Sequence, residues 1–153
     1  MIALLQRVLE AEIRVQGAAV ASIKRGLLVF VGVRPDDDAA AAQKLVDRML
    51  RYRVFADEHG KMNLNLSQIE GDLLLVPQFT LAADTRHGLR PGFSTAATPD
   101  LGRRLFEGLI AAARTQHPRV ESGVFGADMQ VALVNDGPVT FWLETGPGPS
   151  SCA

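Results

Sequence analysis

Residues Leu27 to Val33 read Leu-Leu-Val-Phe-Val-Gly-Val, an apolar run with no polar position to turn towards water. Seven residues fall far short of the roughly 20 that a membrane helix needs. The run also lacks the alternation of a half-exposed strand, which suggests a strand covered on both faces. Such a strand demands layers on either side of a sheet. At 153 residues, the chain is long enough for one domain that supplies them.

The rest of the sequence can be ordered around that strand. Ile2 to Val15 is a first strand, with partial alternation at Glu10, Glu12 and Arg14, and Gly17 turns it into a short strand at Val20 to Ile23. Pro35 and the aspartates Asp36, Asp37 and Asp38 stop the apolar run and cap a helix. In that helix Ala42, Leu45, Val46, Met49 and Leu50 share one face, and it ends near Tyr52 or Arg53. A loop or irregular hairpin containing Asp57, Gly60 and Asn63 follows. Leu73 to Phe79 is a second buried strand, interrupted by Pro77, which cannot donate a ladder hydrogen bond. A long loop from Ala83 to Thr98 is of a kind that compact domains keep only when they use it. Thr98 and Pro99 start a second helix, with Leu101, Leu105, Leu109 and Ala112 or Ala113 inward, that stops at His117-Pro118. The pattern closes with strands at Val124 to Val134 and Val139 to Glu144, joined by an Asn135-Asp136-Gly137-Pro138 turn. The Gly/Pro/Ser-rich residues 146–153 read as a disordered tail behind a single domain over residues 1–145.

Common catalytic constellations are missing. His59, His87 and His117 lie in loops or at a helix end, without metal-ligand spacing. No nucleophile elbow and no phosphate loop is present. A single cysteine, Cys152, rules out an internal disulfide framework or a CxxC pair. No metal or cofactor is expected. The first 15 residues do not read as a signal peptide, so the expected compartment is the cytoplasm. Sixteen Lys+Arg against 17 Asp+Glu give a net charge of −1, whereas a general nucleic-acid binder carries a basic excess.

What stands out is local backbone chemistry. Pro77-Gln78-Phe79-Thr80 ends a buried strand beside the long loop, and Asn135-Asp136-Gly137-Pro138-Val139-Thr140 places a tight turn late in the chain. Each alone is adequate turn sequence. Together they resemble the D-aminoacyl-tRNA deacylase family, whose signatures are a Ser-Gln-Phe-Thr and an Asn-x-Gly-Pro-x-Thr segment. Further similar segments occur in order at Met1 to Val8, Gly60 to Leu64, Phe79 to Thr85, Arg90-Pro91 and Phe125 to Val131, so that the resemblance covers residues 1–144. One departure is Pro77, where the family has serine. The related deacylases that clear L-alanine resemble the chain at this proline but lack the phenylalanine that Phe79 supplies.

The resemblance implies an α/β fold: a single domain of mixed, barrel-like β-sheets with two main helices outside, dimerising through the sheets. It implies a hydrolase that cleaves the ester of D-aminoacyl-tRNA in translational proofreading, and accepts glycyl-tRNA as a secondary substrate. In a homodimer, a cis Gly137-Pro138 unit held by Arg7 would enter the partner's pocket and exclude L-amino acids. Backbone groups of Gln78, Phe79 and Thr80 would carry the chemistry, with Thr80 as either nucleophile or water-positioning group. Phe125 and Met129, placed on one face of the Val124–Val134 strand, would bind the terminal adenosine of the CCA end. Lys24, Arg25, Arg86 and Arg90 would touch phosphates. Deacylation of other mischarged tRNA such as L-alanyl-tRNA, a non-catalytic module for the tRNA end, and an editing domain attached to a synthetase are the competing readings.

Overall fold

In a computed structural model, residues 1–146 are described; the expected tail, apart from Gly146, and Cys152 lie outside them. Strands β1 (Ile2–Val15), β2 (Ala18–Ile23) and β3 (Gly26–Gly32) lead into helix α1 (Ala39–Arg51). A small hairpin of β4 (Phe55–Ala56) and β5 (Met62–Leu64) precedes β6 (Asp72–Pro77). A short 3-10 turn (Phe79–Ala82), helix α2 (Pro99–Gln116), β7 (Val120–Ser122) and β8 (Gln130–Glu144) complete the order. The main sheet runs β2-β1-β3-β6-β7, with β8 on the other edge of β1. The β3–β6 and β6–β7 pairs are parallel and the pairs made by β1 are antiparallel. The sheet curls enough for β2 to touch β6 and β7, giving the expected barrel-like form.

Both faces of β3 are covered, as its composition demands. Leu27, Val29 and Val31 join Leu73 and Leu75 of β6 in a core under the helices. Leu28 joins Leu74, Val76, Val8 and Ile13 in a second core inside the curl. Period-2 side-chain alternation thus divides one apolar run between two layers. Helix α1 is capped by the Asp38 side chain, which accepts from the Ala41 N–H at 2.8 Å. It buries Ala41, Ala42, Leu45, Val46, Met49 and Leu50. Asp37 does not cap; its buried carboxylate accepts from the Arg34 N–H and the Met1 ammonium. Helix α2 has Thr98 as N-cap and Pro99 in its first turn. At its other end His117 is buried, with Nε2 2.8 Å from the Gly71 carbonyl. His117 therefore ties the helix end to a turn. The other two histidines, His59 and His87, are exposed.

The last part of the chain departs from the sequence reading. Residues 124–127 form a turn rather than strand, and β8 is one continuous strand instead of a hairpin. Its halves lie end to end along β1, with Glu12 opposite Ala132 and Leu4 opposite Trp142. In between, Thr140 pairs with Gln6 and Asn135 with Val8. The four residues 136–139 therefore stand opposite Arg7 alone. An enlarged bulge, not a chain reversal, is what the Asn-Asp-Gly-Pro sequence builds here.

Candidate active site

The site begins where β6 runs out. Pro77 holds the last ladder position, opposite Val31, and the Gln78 N–H donates to the Val31 carbonyl at 2.8 Å. Beyond it the chain tightens into the 3-10 turn, closed by Leu81 N–H to the Gln78 carbonyl (3.2 Å) and Ala83 N–H to the Thr80 carbonyl (3.1 Å). The first N–H groups of such a turn have no acceptor inside it; here they belong to Phe79 and Thr80. Gly32 lets the turn sit this close to β3, since a Cβ there would lie 3.0 Å from Leu81 Cβ and 3.3 Å from the Gln78 carbonyl oxygen. Gln78 Nε2 donates to Thr80 Oγ1. A primary amide cannot take a proton from that hydroxyl, and no other side chain bonds it among the described residues.

Thr80 lines an open cleft of about 830 Å³. One wall is Leu81 to Arg86 with Ser94 and Thr95; the other is Arg34 to Asp37 with Ile2, Trp142 and Glu144. The second wall was not read from the sequence. It exists because β1 brings both β3 and β8 alongside Ile2, which pairs with Gly32 and with Glu144. Arg34 and Glu144 form an ion pair at 2.9 Å, and the Trp142 indole N–H donates to Glu144 at 2.7 Å. The hydrogen bonds from Trp142 and then Arg34 hold the Glu144 carboxyl below its ordinary value of 4.5. A carboxyl whose folded pKa is depressed contributes stability above its unfolded pKa and loses it as pH falls through the folded value. Below pH 4.5 the melting temperature of the protein is therefore expected to fall more steeply than that of Glu144→Gln, by a small amount because Glu144 is partly exposed. Parallel melting curves for the two proteins would contradict the assignment.

The bulge in β8 is braced from two sides. Arg7, with only 13% of its side chain exposed, donates to the Asp136 carbonyl at 2.8 Å and to the Val54 carbonyl at 2.7 Å. Asn135 accepts from the Val139 N–H at 2.7 Å and donates to the Val139 carbonyl at 3.1 Å. Between these anchors Gly137 and Pro138 are exposed, and the peptide joining them is cis. Neither residue lines the Thr80 cleft of the same chain.

Phe125 and Met129 are not on one face of a strand, because β8 starts only at Gln130. Phe125 packs towards the core beneath the helices, 6.3 Å from the Phe106 ring and with the Arg103 guanidinium 4.8 Å above its own. Met129 packs towards the core inside the curl. A Cβ on Gly123 would lie 2.8 Å from Met129 Sδ and 3.4 Å from Pro77 Cδ, which puts Met129 beside the end of β6. The four basic residues also separate. Lys24 and Arg25 precede β3 at the end of the parallel ladder that starts β6, about 20 Å of strand from Thr80. Arg86 and Arg90 lie on the loop that borders the cleft, where Arg86 is bound by both oxygens of Asp84. Those bonds, with one from the Arg86 N–H, hold the Asp84 carboxyl well below the usual carboxylate range. Among the described residues no group of three or more His, Cys, Asp or Glu is placed to hold a metal ion.

The chain is similar to known proteins over nearly its whole length. Residues 4–144 match the family described as D-Tyr-tRNA(Tyr) deacylase. A D-aminoacyl-tRNA deacylase of Pseudomonas fluorescens (strain Pf0-1) is 61% identical over 142 residues, covering 93% of this chain and 98% of the relative. One from Burkholderia cenocepacia (strain HI2424) is 59% identical over 152 residues, 96% of this chain and 100% of the relative. Among solved structures, one titled c-Myc DNA Unwinding Element Binding Protein superposes with a TM-score of 0.92 at 33% identity, covering 96% of this chain and 100% of its own. Another, titled as a probable eukaryotic D-amino acid tRNA deacylase, has a TM-score of 0.81 at 20% identity over 94% and 98% of the two chains, a likeness of fold. With the family matched across nearly the whole described domain, the chain belongs to the D-Tyr-tRNA(Tyr) deacylases.

Proposed function

We propose that the Thr80 cleft binds the aminoacylated end of tRNA, that the Phe79 and Thr80 amides stabilise the oxyanion, and that a second copy lends Gly137-Pro138 to exclude L-amino acids. The protein is a hydrolase that cleaves the ester bond of D-aminoacyl-tRNA, an activity that rests on its family and its relatives at about 60% identity. Proofreading in translation follows from that activity, and we place the protein in the cytoplasm, where aminoacyl-tRNA is used. No described helix is long and apolar enough to cross a membrane.

The observation that carries the mechanism is the position of Gly137 and Pro138: exposed, clamped by Arg7 and Asn135, yet outside the cleft of their own chain. A D-amino acid and its L twin offer the same groups, so added attraction for the side chain cannot separate them. Rejection needs a rigid obstacle where the L side chain would go. A braced main-chain segment serves, because it cannot rotate aside as a side chain does. A two-fold dimer would give each cleft one such segment. Leu9, Val134 and Trp142, apolar yet exposed on β1 and β8, favour an interface through these strands. Glycine has no side chain to reject, and glycyl-tRNA becomes a secondary substrate.

An aminoacyl ester is already activated, so positioning and two preorganised amides can carry much of its hydrolysis. The vicinal ribose hydroxyl of the terminal adenosine helps activate the water, and Thr80 orients it. Met129, beside Pro77, and Phe125, under the Arg103 guanidinium, contact the adenine. The test compares acyl release from D-Tyr-tRNA, L-Tyr-tRNA and Gly-tRNA. Release of the D and glycyl esters with the L ester intact is expected. Equal release of D and L would refute chiral exclusion, and no release would favour a binding module. In the same assay Thr80→Ala is expected to keep kcat within about tenfold, whereas a covalent nucleophile would cost several orders of magnitude.

A further inference from the structure

Phe79 and Phe93 face each other in solvent. Their ring centroids are 5.0 Å apart at an interplanar angle of 55°, and the residues are 58% and 43% exposed. Two phenylalanines left together in water on one loop rim have found no core to fill. Their position is fixed: Asp84 and Gly92 exchange both backbone hydrogen bonds, at 2.7 and 2.9 Å, and Thr95 Oγ1 donates to the Ala82 carbonyl. The loop between Asp84 and Gly92 carries Arg86, His87 and Arg90, all exposed, and Arg90 has no ion-pair partner among the described residues. Each phenylalanine directly precedes a residue that lines the cleft, Thr80 and Ser94.

We propose that the Phe79–Phe93 pair stacks an unpaired tRNA base upstream of the terminal adenosine, while Arg90 meets the phosphate beside it. Aromatic faces next to a cationic loop are the recurring means of holding single-stranded nucleic acid, because every base has a π-face and every linkage a charge. A tilted pair leaves outer ring faces open for such a base. The placement also explains how a chain of net charge −1 grips RNA: the cation is local to the strand's path. This inference rests on the reading of the Thr80 cleft as the ester site.

The experiment measures deacylation of D-tyrosyl-tRNA and of D-tyrosyl-adenosine, which lacks every upstream base. Phe93→Ala is expected to raise KM for the tRNA ester about tenfold more than for the short ester, with Phe93→Trp restoring the tRNA value and Phe93→Leu failing to. Arg90→Ala is expected to flatten the dependence of log KM on log salt by about 0.7 for the tRNA ester alone. Equal penalties on both esters would overturn the proposal, by placing the pair against the amino acid or in the structural frame. Dissociation of Phe93→Ala into monomers at assay concentration would also overturn it, by showing the rings covered by a second copy. Failure of the parent protein to release either ester would instead condemn the reading of the cleft.

Discussion

Phe79→Pro is expected to lower kcat for D-tyrosyl-tRNA about 10²–10³-fold relative to Phe79→Ala, the cost of one oxyanion donor. The comparison isolates a single N–H, since both variants lose the ring. Proline suits the position: Phe79 opens the 3-10 turn and Gln78 before it has φ −143° and ψ 80°, outside the helical region that a following proline disfavours. The turn's own hydrogen bonds start at Leu81, so none is removed. Equal kcat for the two variants, with melting temperatures matched, would mean that the Phe79 amide takes no part in the chemistry.

The second large effect is on selection. Gly137 has φ +153°, and a Cβ there would lie 2.6 Å from Val139 Cγ2 and 2.7 Å from the Val139 nitrogen. That nitrogen cannot retreat cheaply, because its N–H is bound by Asn135 at 2.7 Å. Gly137→Ala therefore has to displace the exposed tip of the bulge. Backbone strain of about 1–3 kcal/mol corresponds to about 5–150-fold, and we expect a loss of that order in the D-over-L ratio of kcat/KM. Release of L-tyrosine from L-Tyr-tRNA should become measurable as D-ester turnover declines. An unchanged ratio would show that the tip does not choose the hand of the substrate.

Some of this architecture could be read from the sequence because local rules settle it. The run from Leu27 needs cover on both faces wherever it lies, and Asp38 and Thr98 cap helices through bonds only three residues long. The 3-10 turn at Phe79 was half legible, since Pro77 announces the end of the ladder but not the turn that follows. Long-range pairing overrode local chemistry at Asn135 to Pro138. Those residues favour a hairpin turn, yet β8 gains hydrogen bonds along nearly the whole of β1 by running on, and the surplus bulges out opposite Arg7. Phe125 and Met129 do not alternate on one strand for a related reason: Gly126 has φ +79° in a turn, and the strand starts after it. Nothing local could have joined Arg34 to Glu144 and Trp142. Phe93 has no local signature, because a phenylalanine in a loop carries no sequence mark of being exposed.

In the proposed mechanism the neighbouring chain makes the selection in each cleft, and mixed dimers put this to the test. Phe79→Pro damages the cleft and leaves the bulge intact, whereas Gly137→Ala does the reverse. Either variant alone should release D-tyrosine slowly. If the tip acts in the partner's cleft, each mixed dimer contains one site with both parts sound, and random pairing of equal amounts should restore about a quarter of parental activity. If the two parts act within one chain, or the protein works as a monomer, the mixture would show only the mean of the two defective proteins.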